Sequence, residues 1–357
     1  MYQPRIADHV FMFKLSPQKL DKLLSLGYFR NANIMYQSQV ICLDGVLDDV
    51  INVRLDLEKH EFSKSIRKIA RKAEQKFTYK VKKAVIDAEK ERLYAQHRNR
   101  FKGFQFKSLE QLLFGDSPVR LFDTYEIDVY DGDELIAYSF FDVGRKSIAS
   151  ILGVFDNRYQ SYSLGIFTMY AEICWAQSRD FDYYYPGYIL QQNNLFDYKL
   201  RLGDFQFFNW QQNIWGAKED LSDLTTIGQK IQSGLQYLMG LLDKVGITYE
   251  YKLYPYYSLG YLSMTNYQFY VKSPVHLLLP EYSNENRKIL LEYDTEDDKF
   301  VLASARDNDT YRQLMIENNQ LPKSKHAHEW DTVLEYVSVQ KFLFAENLVH
   351  DLWRGGK

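Results

Sequence analysis

Residues 144–198 contain the side chains and turns with the clearest potential for chemistry, and they read GRKSIASILGVFDNRYQSYSLGIFTMYAEICWAQSRDFDYYYPGYILQQNNLFDY. An apolar strand pattern, Ile148 to Phe155, leads to a polar turn, to Ser163-Leu164-Gly165 and then to a helical pattern. A helix that begins there would aim free N–H groups and its positive dipole end at a phosphate. Because Gly165 lets the backbone come close to a ligand, the pattern is typical of enzymes that hold a phosphate-bearing acyl donor.

A second strand pattern, YYYPGY at 183–188, is interrupted at Pro186-Gly187. Tyrosines on a strand usually pack across it, but a strand splayed at this break would open a slot for an acyl donor. Lys199, which follows Tyr198, is placed to hold a phosphate or a carboxylate, although a surface lysine fits the sequence equally well.

Three acids at the ends or turns of strands are candidates for proton transfer: Glu126, Asp142 and Asp156. An enzyme that acts on a peptide amine must bind it as ammonium and remove one proton before attack, and a carboxylate can do both. Each of these acids also fits a turn cap or a salt bridge.

Metal, redox and nucleotide-hydrolysis chemistry lack supporting motifs. The seven histidines show no metal spacing, and Cys42 and Cys174 have no CxxC partner. Neither GxxxxGK[ST] nor a GxGxxG after a strand occurs. We therefore expect no cofactor, no metal cluster and two reduced thiols.

Charge is distributed unevenly along the chain, although the net charge is only −3. Residues 63–92 predict one long helix, in which lysines recur every four residues with a single acid, Glu74, between Lys64 and Lys83. Like charges at this spacing destabilise a helix unless an anion neutralises them. The pattern fits a solvated basic face or a contact with a nucleic-acid backbone, and the candidate contacts are Lys64, Arg67, Lys68, Arg71, Lys72 and Lys76.

The length of 357 residues predicts more than one domain. We expect an α/β (α+β) protein with an amino-terminal module at 1–85, a catalytic domain at 86–215 and a carboxy-terminal α+β extension at 216–357. Helices are predicted over 16–27, 109–115, 223–245 and 331–353. Hairpins are predicted around Asp44-Gly45, around Asp131-Gly132 and across 288–304.

No apolar run reaches the roughly 18 residues of a spanning helix, and the first residues lack the order of a signal peptide. We therefore expect a cytoplasmic protein without a membrane partner.

Several segments, in this order, resemble the arginyl-tRNA–protein transferase family of the N-degron pathway, including its bacterial leucyl-transferring members. They are GYFRNANIMYQ (27–37), FSKSIRKIARK (62–72), LYAQHRNRF (93–101), SIASILGVFDNRYQSYSLGIFTMYAEI (147–173) and YYYPGYILQQNNLFDYKL (183–200). The match covers roughly residues 25 to 215. It implies an acetyltransferase-like (GNAT) mixed, twisted sheet with flanking helices, which binds aminoacyl-tRNA and passes the aminoacyl group to the amino terminus of an acceptor protein.

The resemblance also implies site residues. Ser163, Leu164 and Gly165 lie at its donor end, and Asp156 matches an Asp in the turn after the strand. The aminoacyl and acceptor slot is then lined by Tyr184, Gly187, Tyr188, Tyr198 and Lys199.

The chain also departs from the family at specific positions. The cysteine cluster of many members is absent, so no iron–sulfur cluster is expected, and the family's Cys-x-Lys-Met stretch is here Gln192 to Leu195.

Three functions follow from these observations. The first is an aminoacyl-tRNA–protein transferase, arginyl or leucyl in type, with Glu126, Asp142 and Tyr188 as catalytic candidates and backbone N–H groups near Leu152 to Val154 as oxyanion donors. The second is a GNAT acyltransferase that uses acyl-CoA, although the single glycine of the turn and the bulk of Phe167 crowd a CoA pyrophosphate. The third is a non-catalytic protein that binds tRNA or peptide amino termini.

Overall fold

The computed structural model describes residues 5–98, 106–115, 117, 119–221, 224–262, 269–308 and 326–355. The chain forms two compact units of discontinuous segments. The larger unit comprises 10–37 and 50–223, and the smaller unit comprises 1–9, 38–49 and 224–357. The sequence predicted three consecutive modules, at 1–85, 86–215 and 216–357. That division stays a prediction.

The strands are β1 Ala7–Phe11, β2 Phe29–Asn31, β3 Ile34–Ser38, β4 Val40–Leu43, β5 Val46–Asp56, β6 Thr78–Lys83, β7 Thr124–Asp131, β8 Glu134–Val143, β9 Ser147–Phe155, β10 Tyr183–Tyr185, β11 Tyr188–Leu190, β12 Gln206–Asn209, β13 Ile214–Gly216, β14 Glu250–Leu253, β15 Val275–Leu278, β16 Lys288–Asp294, β17 Lys299–Asp307 and β18 Leu334–Phe342. The α-helices are α1 Pro17–Ser25, α2 Lys64–Glu74, α3 Ala88–Arg98, α4 Leu109–Phe114, α5 Leu164–Gln177, α6 Ile227–Val245 and α7 Ala345–Gly355. Short 3₁₀ helices cover Asn157–Tyr162, Asn194–Leu202, Lys218–Leu221, Tyr257–Tyr261 and Pro280–Tyr282.

A mixed sheet in the order β13-β12-β5-β10-β9-β8-β7-β6 runs through the larger unit. β9 and β10 are parallel, whereas β6 to β9 form an antiparallel meander. The apolar sides of α2 and α5 pack on one face, and α3 and α4 pack on the other, each over its own hydrophobic core. The expected mixed α+β architecture with flanking helices is confirmed, and its GNAT-like detail stays a prediction.

Both hairpins predicted from Asp-Gly pairs are confirmed. β4 and β5 pair antiparallel across Asp44 and Gly45, which both have positive φ angles, and β7 and β8 pair across a turn that contains Gly132 with φ +63°. Such turns need backbone conformations that glycine adopts without strain. The first helix begins at its Ser16 cap, and α4 ends before Gly115, as the sequence predicted.

The prediction of one helix over 63–92 is wrong. The helix ends at Glu74, β6 follows, and a second helix begins at Ala88. β6 pairs with β7, and Lys82 lies 2.9 Å from Asp128 while Lys83 bonds Asp123. The strand therefore removes the like-charge repulsion that a continuous helix would have kept.

The smaller unit is built around the antiparallel sheet β14-β15-β16-β17-β18, with α6 and α7 over its hydrophobic core. The hairpin predicted over 288–304 is confirmed as β16 and β17. A capping box of Thr226 and Gln229 starts α6, inside the helix predicted over 223–245, whose first residue lies outside the described ranges. The helix predicted over 331–353 is wrong in its first half, because residues 334–342 form β18 against β17.

Candidate active site

Two parallel strands separate near the centre of the larger unit's sheet. The last pair between β10 and β9 is Tyr185 with Ala149. The chain then leaves β9 and pairs antiparallel with β5, where Tyr188 lies opposite Asn52. From Ser150 onward, β9 therefore has no strand neighbour on this side within the described chain.

The turn at Pro186-Gly187 makes this separation possible. Gly187 has φ +93°, a conformation that glycine adopts more readily than other residues, and its carbonyl accepts a hydrogen bond of 3.1 Å from the N–H of Val53. The predicted break of the strand at this dipeptide is confirmed.

A β-bulge in β9 lies at the same point. Phe140 of β8 faces Leu152 and Phe141 faces Ser150, so Ile151 is the extra residue of the ladder. A bulge re-aims the local backbone and leaves one residue outside the pairing pattern. Ile151 lies at the edge of the opened space.

A cavity of about 210 Å³ lies between the diverging strands. Apolar side chains of α1, β3 and β13 form part of its wall, and polar groups come from β2, β5, β8, β9 and the 3₁₀ helix 194–202. The lining residues include Leu20, Leu24, Arg30, Met35, Asn52, Asp142, Ser150, Ile151, Gly187, Tyr188, Lys199 and Trp215.

Arg30 and Asp142 form a buried ion pair at the cavity wall. Their side chains are 2% and 1% exposed, and Arg30 Nη1 lies 2.7 Å from Asp142 Oδ1. The guanidinium also donates to Thr124 Oγ1 and to the carbonyls of Ala32 and Leu113, and the Thr124 hydroxyl donates to Asp142 at 2.6 Å. The pair therefore brings no net charge to the cavity.

Two buried oxygens of the lining residues have no hydrogen-bond donor among the described groups. They are Oδ2 of Asp142 and Oδ1 of Asn52, whose amide nitrogen donates to the carbonyl of Gly27. Buried polar atoms in folded proteins are normally paired. The cavity thus offers acceptors to a ligand that carries N–H donors.

Lys199 and Tyr188 lie together at the mouth of the gap. Lys199 Nζ donates to the Tyr188 carbonyl at 3.0 Å and lies 5.5 Å and 4.8 Å from the ring centres of Tyr188 and Phe196. Burial lowers the pKa of the Lys199 ammonium to about 7 and raises the pKa of the Tyr188 hydroxyl to about 12. Lys199 therefore changes charge near neutral pH, whereas Tyr188 stays neutral.

A buried carboxyl group lies behind the cavity wall. Glu172 of α5 is fully buried, and its Oε2 accepts a hydrogen bond of 2.8 Å from the hydroxyl of Tyr184. Burial raises the pKa of Glu172 to about 7, against the opposing effect of the hydroxyls of Ser139, Tyr184 and Ser150.

The start of α5 has the geometry of a free helix amino terminus. Ser163 adopts a left-handed conformation with φ +54° and makes no side-chain cap, and the N–H groups of Ile166 and Phe167 bond its carbonyl. Leu164 is buried. A Cβ atom added at Gly165 would lie 3.6 Å from Phe155, which is an ordinary contact distance. This contact does not test the phosphate role of the turn, which stays a prediction.

Two of the predicted acids lie outside the cavity. Asp156 caps the 3₁₀ helix 157–162 and bonds Arg158, which lowers the pKa of its carboxyl. Glu126 is fully buried and bonds Lys90 Nζ at 3.0 Å and the N–H of Val85. Their predicted roles stay predictions, and the structure does not bring either one together with Asp142 at the cavity.

The predicted slot residues divide into three positions. Gly187, Tyr188 and Lys199 line the cavity, Tyr184 is buried behind it, and Tyr198 is 45% exposed on the 3₁₀ helix 194–202.

All six predicted tRNA contacts are exposed, although Lys76 lies beyond the end of α2. Lys72 donates to the Ser161 carbonyl at 2.9 Å, and Lys76 lies 3.5 Å from Asp131. The other four, Lys64, Arg67, Lys68 and Arg71, have no ion pair with any residue that the structure describes.

Sequence reasoning missed Arg30, Asn52, Ser150 and Glu172 as residues of the site. Arg30 lies in one of the segments that carry the family resemblance, and Glu172 is the single charged residue of the apolar helix α5. Those two signals were available, whereas the positions of Asn52 and Ser150 follow from the strand register alone.

Three further observations on the described residues concern metal binding, disulfide formation and membrane-spanning helices. They contain no group of three or more His, Cys, Asp or Glu side chains that would hold a metal ion. Cys42 and Cys174 form no disulfide. No helix in the described ranges is both long and apolar enough to span a membrane.

Solved structures give only a weak likeness. The chain resembles L-PGS from Bacillus licheniformis with a TM-score of 0.33, 13% identity, and coverage of 41% of this chain and 47% of that one. It resembles FemX with a TM-score of 0.31 and 10% identity over 50% of this chain and 61% of the other. These scores carry no conclusion about function.

Sequence relatives are more informative. The aspartate/glutamate leucyltransferase of Leptospira interrogans (strain Fiocruz L1-130) is 25% identical over 195 residues, which are 53% of this chain and 74% of the relative. The protein of the same name from Campylobacter jejuni (strain RM1221) is 27% identical over 188 residues, 50% of this chain and 75% of the relative.

The cavity, the turn before α5 and most of the central sheet lie within or beside the segment that a family comparison identifies. Residues 71–209 match the family described as the arginine-tRNA-protein transferase carboxy terminus. Through this segment the chain resembles the arginyl-tRNA–protein transferase family, and this match together with the relatives named leucyltransferases indicates that it is an aminoacyltransferase.

Proposed function

We propose that the chain transfers a leucyl-type group from aminoacyl-tRNA to the amino terminus of an acceptor protein, in the cavity between β9 and β10. The observation that carries this proposal is the composition of the cavity, whose lining combines apolar side chains with polar groups and includes one carboxylate, Asp142, already paired with Arg30. The family and the names of the relatives support the reaction class.

The choice of a leucyl over an arginyl donor rests on charge. A guanidinium brought into this cavity would find no unpaired carboxylate among the lining residues, and an uncompensated buried charge is strongly unfavourable. A leucyl side chain would bury apolar surface against Leu20, Leu24 and Met35, which is worth about 2 kcal/mol.

The acceptor class is proposed from Lys199 and from the relatives. Two of those relatives are named for aspartate and glutamate. A carboxylate from an acidic first residue of the acceptor would pair with Lys199 Nζ, which has a single bond to the Tyr188 carbonyl among the described groups. The pairing would restore the charged form of an ammonium whose pKa burial lowers to about 7.

The tRNA is proposed to lie along α2 and the start of α5. The four unpaired cations of α2 would contact phosphates, and Lys72 connects this helix to the 3₁₀ turn that precedes α5. Free N–H groups at the α5 amino terminus suit a phosphate or ribose oxygen of the tRNA end.

The reaction itself is aminolysis of an activated ester. The acceptor amine attacks the ester carbonyl, a tetrahedral oxyanion forms, and the ribose oxygen departs, so alignment and oxyanion stabilisation supply most of the catalysis. The bulge at Ile151 supports a backbone oxyanion donor one residue before the predicted stretch 152–154. Asp142 Oδ2 and Asn52 Oδ1 suit the N–H donors of the leucyl α-amino group.

Incubation with single aminoacyl-tRNAs tests the proposal. The purified chain is given tRNA charged with leucine or with arginine, together with peptides that differ in their first residue, and mass spectrometry reads the added mass. We expect leucyl addition to peptides that begin with Asp or Glu. Asp142→Asn and Tyr188→Phe are measured in parallel, and we expect both to slow transfer.

Two other outcomes have clear meanings. Addition of arginine without leucine would overturn the donor assignment but keep the reaction class. No transfer from either tRNA, together with thermal stabilisation by CoA and not by tRNA, would favour the acyl-CoA alternative.

A further inference from the structure

Glu172 lies at the point where β9 and β10 separate. Its partner Tyr184 belongs to the penultimate residue pair between these strands, and Ser150 is the first β9 residue beyond the last pair. Ser150 lines the cavity, and its hydroxyl is one of the groups that lower the pKa of the Glu172 carboxyl. Ser150 is therefore a residue of the cavity that also influences a fully buried acid.

The carboxyl is incompletely satisfied. Oε2 accepts the hydrogen bond from Tyr184, but Oε1 is buried without a hydrogen bond among the described residues. An unsatisfied buried oxygen is unfavourable, and hydrophobic neighbours would be better for stability alone. The cost is understandable if this oxygen receives a proton during the reaction.

The side-chain groups that shift the pKa of Glu172 in the described chain are hydroxyls. The hydroxyls of Ser139 on β8, Ser150 on β9 and Tyr184 on β10 lower the pKa of the carboxyl, and Tyr198 of the 3₁₀ helix 194–202 interacts with it electrostatically. No charged side chain of the described chain is among the causes that shift its pKa. Its proton affinity is therefore set by burial and by hydrogen bonds, both of which single substitutions can change.

We propose that Glu172 is the proton acceptor of the transferase site and that it acts through the hydroxyl of Ser150. This inference rests on the proposed function. The acceptor ammonium gives one proton to Ser150 Oγ, which passes its own proton to the Glu172 carboxylate. The free amine then attacks the ester carbonyl, and the new C–N bond gives the tetrahedral adduct.

The tetrahedral adduct loses a second proton from nitrogen, and the ribose oxygen gains one as the ester C–O bond breaks. Glu172 then returns its proton to solvent through Ser150, so that the carboxylate is ready for the next cycle. Glu172 is thus a positioning and proton-holding residue that does not touch the substrate.

The test is the pH profile of kcat/KM for leucyl transfer to a peptide, measured for the full chain and three variants. Wild type should lose activity as the pH falls through about 7, where Glu172 protonates. Glu172→Gln and Ser150→Ala should each lower the plateau about 10²-fold. Tyr184→Phe removes a hydrogen bond that favours the charged carboxylate, so its profile should shift to higher pH.

Hydroxylamine separates this role from a structural one. It is unprotonated at neutral pH and needs no proton acceptor, so Glu172→Gln should lose much less activity with hydroxylamine than with a peptide. Equal losses with both acceptors, or a Tyr184→Phe profile that does not move while wild type is active, would overturn the inference alone. A wild type that transfers no amino acid would overturn the proposed function with it.

Discussion

The guanidinium of Arg30 and the carboxylate of Asp142 lie 2.7 Å apart although 112 residues separate them in sequence. The pair joins β2, at the amino-terminal end of the larger unit, to the end of β8. Because both side chains are almost fully buried, each is stable as an ion only beside the other. The pair fixes the cavity wall and adds no net charge to the cavity.

Replacement of Arg30 by Met should therefore destabilise the larger unit strongly. It leaves the Asp142 carboxylate buried with the Thr124 hydroxyl as its remaining side-chain partner, which costs about 3–5 kcal/mol in the free energy of unfolding. Urea unfolding measures the change.

Two comparisons make this prediction specific. The double variant Arg30→Met with Asp142→Leu should recover most of the loss, because it removes both charges. Arg306→Met breaks an exposed pair with Glu335 and should cost less than about 1 kcal/mol. A loss at Arg30 as small as the loss at Arg306 would contradict the role given to the buried pair.

Local patterns in the sequence predicted much of the fold. Hairpins at Asp-Gly pairs and the strand–turn–helix of residues 147–177 need only neighbouring residues to be recognised, and all are present. The prediction of one helix over 63–92 is wrong because lysines at four-residue spacing resemble one face of a helix. Its second half instead contains β6, which is stabilised by pairing with the distant strand β7 and by an ion pair between Lys82 and Asp128.

The site was less predictable for the same reason. Gly187, Tyr188 and Lys199 are close in sequence, and the cavity contains all three. Arg30, Asn52 and Glu172 reach the site through sheet register and helix packing, which no local spacing encodes. Glu126 and Asp142 look alike in sequence, yet Lys90 neutralises the first in a separate cluster.

The basic surface of α2 should contribute most of the salt dependence of tRNA binding. Lys68→Gln with Arg71→Gln removes two cations that have no ion pair among the described residues, so the slope of log K against log salt should fall by about one unit for each. Fluorescence anisotropy with labelled tRNA measures the slope. The matched control is Lys59→Gln with Lys146→Gln, two exposed lysines beside Asp56 and Asp182. An equal effect of the control pair would exclude a specific surface.

Lys199 should make stability depend on pH in the alkaline range. Its folded pKa of about 7 lies below the ordinary value of 10.5, so the unfolded chain binds more protons between these values. The free energy of unfolding of wild type should rise as the pH increases from about 7 to about 10, and Lys199→Met should lack this rise. Thermal unfolding at several pH values measures the difference. A constant difference between the two proteins would show that Lys199 stays protonated in the folded state.

Glu172 should produce the opposite dependence at lower pH. Its folded pKa of about 7 lies above the ordinary value of 4.5, so the folded chain binds more protons between them and wild type loses stability as the pH rises through this range. Glu172→Gln keeps the shape without the charge, so its advantage over wild type should grow by about 3 kcal/mol between pH 4.5 and pH 8. Urea unfolding at both pH values gives the difference.

The exposed variant Glu74→Gln serves as the control and should show no such growth. If Glu172→Gln behaves like Glu74→Gln, the buried carboxyl does not titrate in this range and cannot exchange a proton with an acceptor amine near neutral pH. If the advantage grows as expected while transfer falls, the same carboxyl that weakens the fold above pH 7 serves the reaction there. The unsatisfied Oε1 would then be explained by function rather than by packing.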